Sequence, residues 1–185
     1  MKTNRRQVLK VLGAAPVAAV AQKSAAPPAA PAYKPKALTA QQFRTARVLA
    51  DLILPADGRS GSASQAGVPE YIDELLADRK GRLETQIKGG LAWLDREANH
   101  RFGADFARSK ATQQKEILDL IAYPKKAAPE YSQAVAFFNR FRDLTAGGFF
   151  SSRIGIIDLG YLGNTAVDHW DGCPPEALKK LGVTE

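Results

Sequence analysis

The chain has 185 residues, of which 45% are apolar and 24% charged, and it carries a formal net charge of +7. That is enough apolar material for one domain with a real core, and a single cysteine, Cys173, excludes an internal disulfide, a Cys-x-x-Cys-His haem attachment and a thiolate-ligated iron–sulfur cluster. The charge does not point to nucleic acid. Lys2, Arg5, Arg6 and Lys10 account for four of the seven excess positives, and the remaining basic residues are interleaved with acids, as in Asp78-Arg79-Lys80 and Asp95-Arg96-Glu97.

The first twenty-one residues have the layout of an export signal. Arg5 and Arg6 precede Val8, Leu9 and Lys10, an Ala/Val/Gly/Leu stretch runs from Val11 to Ala21, and Ala19-Val20-Ala21 forms a small-x-small cleavage pattern. The paired arginines resemble a twin-arginine signal, the bacterial route for proteins exported already folded. The apolar stretch is far shorter than the roughly 20 residues that a membrane-spanning helix needs, so removal of residues 1–21 is expected rather than a permanent anchor. The mature chain then keeps a charge near +3.

Residues 22–37 place Pro27, Pro28, Pro31 and Pro35 among alanines and lysines, the composition of an extended tether. The domain is expected to span 38–185. Thr39 can cap a first helix over Ala40–Leu54, with Phe43, Ala46, Leu49, Ala50 and Ile53 on one face and Pro55 as its stop. A glycine- and serine-rich loop follows. It lacks the Gly-Lys-Ser/Thr ending of a phosphate-cradling loop and follows no strand.

Val68-Pro69 begins a second predicted helix. A third covers Leu83–Phe102, with Ile87, Leu91, Leu94 and Ala98 at helical spacing, and a fourth opens at Thr112. A fifth runs from Glu130 to Thr145, with Gly147-Gly148 predicted to end it. Strand signals are weak; Ile154-Gly155-Ile156-Ile157 is short and interrupted. The fold class is therefore all-α, a helical domain of about five helices with an irregular, aromatic-rich C-terminal segment.

Chemistry-bearing clusters are sparse. Asp168-His169-Trp170-Asp171 sets a histidine between carboxylates, but the only other histidine, His100, sits where a helix C-terminus would favour a cationic ring, and a zinc site needs three or four protein ligands. Ser151 and Ser152 lack a nucleophile-elbow glycine pattern. Cys173 lies between Gly172 and Pro174-Pro175, either buried as a small apolar residue or facing a partner subunit. From Phe149 to Trp170, apolar side chains crowd a stretch with little periodicity. They must fold back onto the helices or dock on another protein, and Phe149, Phe150, Tyr161, Trp170 and Cys173 are the candidate interface residues.

Several runs resemble the gluconate 2-dehydrogenase subunit 3 family. They are Arg5-Arg6-Gln7-Val8-Leu9-Lys10, Leu38-Thr39 leading into Ala50-Asp51-Leu52-Ile53-Leu54-Pro55-Ala56-Asp57, and Gly61 to Asp73 (GSASQAGVPEYID). To these are added Phe137-Phe138, Leu144-Thr145, Gly148-Phe149-Phe150-Ser151-Ser152 and Gly160-Tyr161-Leu162-Gly163-Asn164. The resemblance implies a non-catalytic accessory subunit with no cofactor of its own. Its partner would be an FAD-bearing dehydrogenase subunit of the glucose–methanol–choline (GMC) type that lacks an export signal. This chain would escort that partner through the twin-arginine translocase to the periplasm, where a cytochrome c subunit commonly accepts the electrons. A free-standing secreted helical binding protein is the alternative.

Overall fold

The computed structural model describes residues 33–163, 166, 168–169 and 172–183. The export-signal residues Arg5, Arg6, Val8, Leu9, Lys10, Ala19 and Ala21 and most of the expected tether lie outside them. The described residues form seven α-helices and two 3-10 turns, with no strand among them. The helices are α1 (Ala40–Ile53), α2 (Val68–Asp78), α3 (Arg82–Phe102), α4 (Ala111–Asp119), α5 (Ser132–Ser151), α6 (Arg153–Leu159) and α7 (Pro175–Leu181).

Local chemistry sets the ends. Thr39 caps α1 by accepting from the Gln42 N–H at 3.2 Å, while the Gln42 side chain accepts from the Thr39 N–H at 3.0 Å. Gly103, in the left-handed region at φ 71°, closes α3. The Gln113 side chain folds back to accept from the Lys110 N–H before α4.

Helix α5 is the centre. It packs against α1, α2, α3 and α6, burying Phe137, Phe138, Phe141, Thr145 and Phe149 on one face. Trp93 meets Tyr131 edge-on, and Gly90 lies against Phe137, so α3 and α5 run antiparallel. Each fully buried Leu, Ile or Phe, such as Leu49, Ile72, Leu91 and Phe141, contributes about 1.5–3 kcal/mol.

The predicted stop at Gly147-Gly148 is corrected. The helix passes through both glycines to Ser151, because neither adopts a positive φ and Gly148 opens room for the Tyr71 ring of α2. Two mid-helix glycines cost about 1 kcal/mol each; burial of Phe149, 3% exposed, offsets much of that. The segment beyond is likewise not irregular at first, since Ile154 to Ile157 lie in α6.

Three carboxylates hold the non-helical stretches against the bundle. Asp51 of α1 accepts from the Ser64 N–H and hydroxyl, both at 2.7 Å. Asp95 of α3 accepts from the Thr45 hydroxyl, the Gln41 amide and the Phe106 N–H. Asp73 of α2, fully buried, accepts from the N–H groups of Lys36 (2.6 Å), Leu38 (2.7 Å) and Ala37 (3.1 Å) and from the Tyr33 hydroxyl (2.8 Å). Residues 33–37, expected as tether, thus belong to the compact unit that starts at Tyr33.

Burial disfavours the Asp73 carboxylate, but the donors outweigh it and hold the carboxyl below its usual range. Burial first, then the bond to Asp73, pushes the Tyr33 phenol well above the usual tyrosine range. Because Asp73 titrates lower when folded, its stabilisation is complete above the unfolded value of about 3.9. It is lost as pH falls from there through the depressed folded value. Asp73→Asn is expected to cost about 2–4 kcal/mol at neutral pH and to flatten the stability profile below pH ~4. Urea unfolding of both proteins at neutral pH and at pH ~3 checks this; parallel profiles would contradict it.

Candidate partner interface

The α5–α6 corner is built by one serine. Ser152 donates from its N–H (2.9 Å) and hydroxyl (2.7 Å) to the Phe149 carbonyl, and its hydroxyl oxygen accepts from the Gly155 N–H at 3.1 Å. The Ser151 hydroxyl donates to the Gly147 carbonyl at 2.7 Å. Both serine hydroxyls therefore donate to backbone carbonyls of α5. Gly155 is buried at the corner, with its Cα hydrogens facing the Phe149 carbonyl and the Phe150 backbone.

The corner turns α6 across the end of the bundle. Ile154 packs on the core, while Ile156, Ile157 and Leu159 point outward at 38%, 69% and 61% exposure. Phe150, 41% exposed, stacks edge-on against Phe149 at 5.2 Å. Gly160, at φ 67°, ends α6, and the chain continues through the exposed Tyr161 and Leu162. Six of the eleven exposed large apolar side chains among the described residues fall between 150 and 162. The concentration matters because isolated exposed leucines are ordinary, whereas a cluster marks a contact surface. A short helix apolar on both faces has one face too many for an isolated domain.

The loop before α2 braces this surface. Asp57 accepts from the N–H groups of Ser60 and Arg59, both at 2.8 Å, and these bonds hold its carboxyl below the usual range. The Arg59 guanidinium then donates to the Asp158 carbonyl at 3.1 Å. The glycine- and serine-rich loop is thus a strut to α6.

Of the predicted interface residues, Phe150 and Tyr161 are exposed beside α6, and Cys173 is exposed further along the chain. Phe149 is corrected to the core, because continuing α5 through the glycines puts it four residues beyond the buried Thr145. Trp170 lies outside the described residues. Ile156, Ile157, Leu159 and Leu162, which belong to the same crowded apolar stretch from Phe149 to Trp170, join Phe150 and Tyr161 on the exposed face. Asp168 and His169 are exposed, and among the described residues no group of three or more His, Cys, Asp or Glu side chains could hold a metal ion. No helix among the described residues is long and apolar enough to cross a membrane.

Residues 40–172 match the family model described as gluconate 2-dehydrogenase subunit 3. No curated protein and no solved structure matches the chain.

Proposed function

From the premise that this chain belongs to the gluconate 2-dehydrogenase subunit 3 family, we propose that it is a non-catalytic accessory subunit of a periplasmic flavin-dependent dehydrogenase. The family is that of a subunit of a larger complex. The observation that carries the proposal is the exposed apolar face formed by Phe150, Ile156, Ile157, Leu159, Tyr161 and Leu162, placed on a rigid helical corner where a partner subunit can cover it. The FAD-bearing, GMC-type subunit is the proposed occupant, with a cytochrome c subunit as electron acceptor. The Arg5-Arg6 segment is the proposed twin-arginine signal that carries the folded pair to the periplasm.

The test joins export to assembly. In the native host, Arg5→Lys with Arg6→Lys is expected to deplete the periplasm of both this chain and a flavin dehydrogenase subunit by at least tenfold. A C-terminally tagged wild-type copy is expected to elute yellow, with a large flavoprotein. Normal export of the flavoprotein beside the trapped variant would end the escort reading. A colourless monomer would replace the subunit reading with that of a free-standing binding protein.

A further inference from the structure

On the surface where α3 crosses α5, away from the α6 face, lies a trough in two continuous parts. The first, about 690 Å³, is bordered by Arg79, Lys80 and Arg82 at the α2–α3 turn and by Arg140 on α5. The second, about 730 Å³, shares Arg82, Gln86 and Ala136 with the first and continues over Gly89 and Gly90 to Trp93 and Arg96. From Arg82 to Arg96 along α3 is about 20 Å at 1.5 Å per residue, the span of about six extended residues.

The walls are positive. Two acids line the trough, Asp143 and Glu130, and Asp143 is paired with Arg142 at 3.8 Å. Glu84, near Lys80, is engaged by Lys88 at 2.6 Å. Arg79, Arg82, Arg96 and Arg140 make no ion pair among the described residues. On the floor of the first part, the Asn139 side-chain oxygen is buried without a hydrogen-bond partner, a state that costs about 1–3 kcal/mol unless something supplies one.

We infer that this trough receives an extended acidic segment of a partner polypeptide. Guanidinium groups pair carboxylates in a two-pronged geometry, and rotation of the half-buried Asn139 side chain, whose oxygen has no partner inside, would turn it to a backbone N–H of an extended chain lying over it. Gly89, with open space beside its Cα, leaves the middle of the trough open to that backbone. The protein's own first 32 residues are the wrong occupant, since they hold Lys2, Arg5, Arg6, Lys10 and Lys23 and no acid. A small anion would fill only one end, and a flat lipid surface would not reach the Asn139 floor. The inference does not depend on the identity of the subunit that covers α6.

The probe is a fluorescein-labelled peptide of alternating glutamate and alanine, about ten residues long, titrated with the full chain by fluorescence anisotropy. Binding is expected at low salt and is expected to weaken as salt rises. Arg82→Glu with Arg140→Glu should weaken it at least tenfold, and the milder Arg82→Gln with Arg140→Gln about threefold. Lys115→Glu with Lys125→Glu, exposed positions that do not line the trough, should leave it unchanged. Circular dichroism confirms that each variant folds. Equal loss in the Lys115/Lys125 variant, or no peptide binding alongside binding of inorganic phosphate or phosphatidylglycerol vesicles, would overturn the inference.

Discussion

Gly90→Ala is expected to destabilise the domain by about 3 kcal/mol or more, whereas Gly89→Ala, one residue earlier, is expected to stabilise it by up to about 1 kcal/mol. The two substitutions add the same methyl group to the same helix. At Gly89 that methyl meets open space; at Gly90 it would fall inside the Phe137 ring. Phe137 is 1% exposed and packs against Phe141 at 5.8 Å, so the ring has nowhere to go. Either α3 and α5 separate, opening the seam that runs through the core, or Phe137 leaves it. A core phenylalanine lost outright costs about 3–5 kcal/mol, and the gain in helix propensity recovers only about 1. In a domain of this size the loss lowers the melting temperature by roughly 6–12 °C. Thermal unfolding of both variants is decisive: if both move in the same direction, α3 and α5 do not approach at Gly90 as described.

The second large effect is expected at Gly155. Its substitution by alanine places a methyl against the Phe149 carbonyl and the Phe150 Cα, which are backbone atoms of α5 and cannot swing aside as a long side chain would. Helix α6 must therefore lift from the corner, losing the Ser152 cap on the Gly155 N–H. Because α6 packs chiefly on α5, the global cost is modest, about 1–3 kcal/mol. The consequence for assembly is larger, since Ile156, Ile157 and Leu159 move with the helix. Recovery of the flavoprotein with the tagged chain is expected to fall at least tenfold. Amide exchange in 153–159 is expected to rise while α1–α3 stay protected. Ile157→Asp gives the complementary result: partner loss with exchange unchanged, because Ile157 is 69% exposed and contributes little to the fold. Wild-type exchange and wild-type recovery in Gly155→Ala would remove both the corner geometry and the docking face from consideration.

These effects also mark where sequence is legible and where it is not. Thr39 before the first helix, Pro55 after it, and the apolar spacing from Ile87 to Ala98 are local signals, and the helices they delimit follow them closely. Gly147-Gly148 is a local signal as well, but it points the wrong way. A glycine pair looks like a stop until Tyr71, far away in the chain, is known to need the space. That one contact governs the rest: with α5 continued, Phe149 falls in register with Phe141 and Thr145, and its neighbour Phe150 turns outward. The carboxylate hubs were invisible for a related reason. Asp73 and Asp95 look like ordinary polar helix positions. Their donors come from 35–40 residues away for Asp73 and from both α1 and the Phe106 turn for Asp95, and most of Asp73's are backbone N–H groups with no side-chain signature.

The Asp73 hub also fixes how the fold answers to force. The chain passes from Tyr33 through Leu38 directly into α1, yet its first hydrogen bonds are to α2, while the Tyr33 ring stacks on Phe43 of α1 at 5.3 Å. A pull on the leading end is therefore delivered sideways, into α2 through these bonds and into α1 through the Tyr33–Phe43 stack, before the backbone of α1 is drawn along its own axis. The bonds that resist it share one acceptor and are strained together, so they act as a clasp that yields as a unit instead of a seam that unzips one bond at a time.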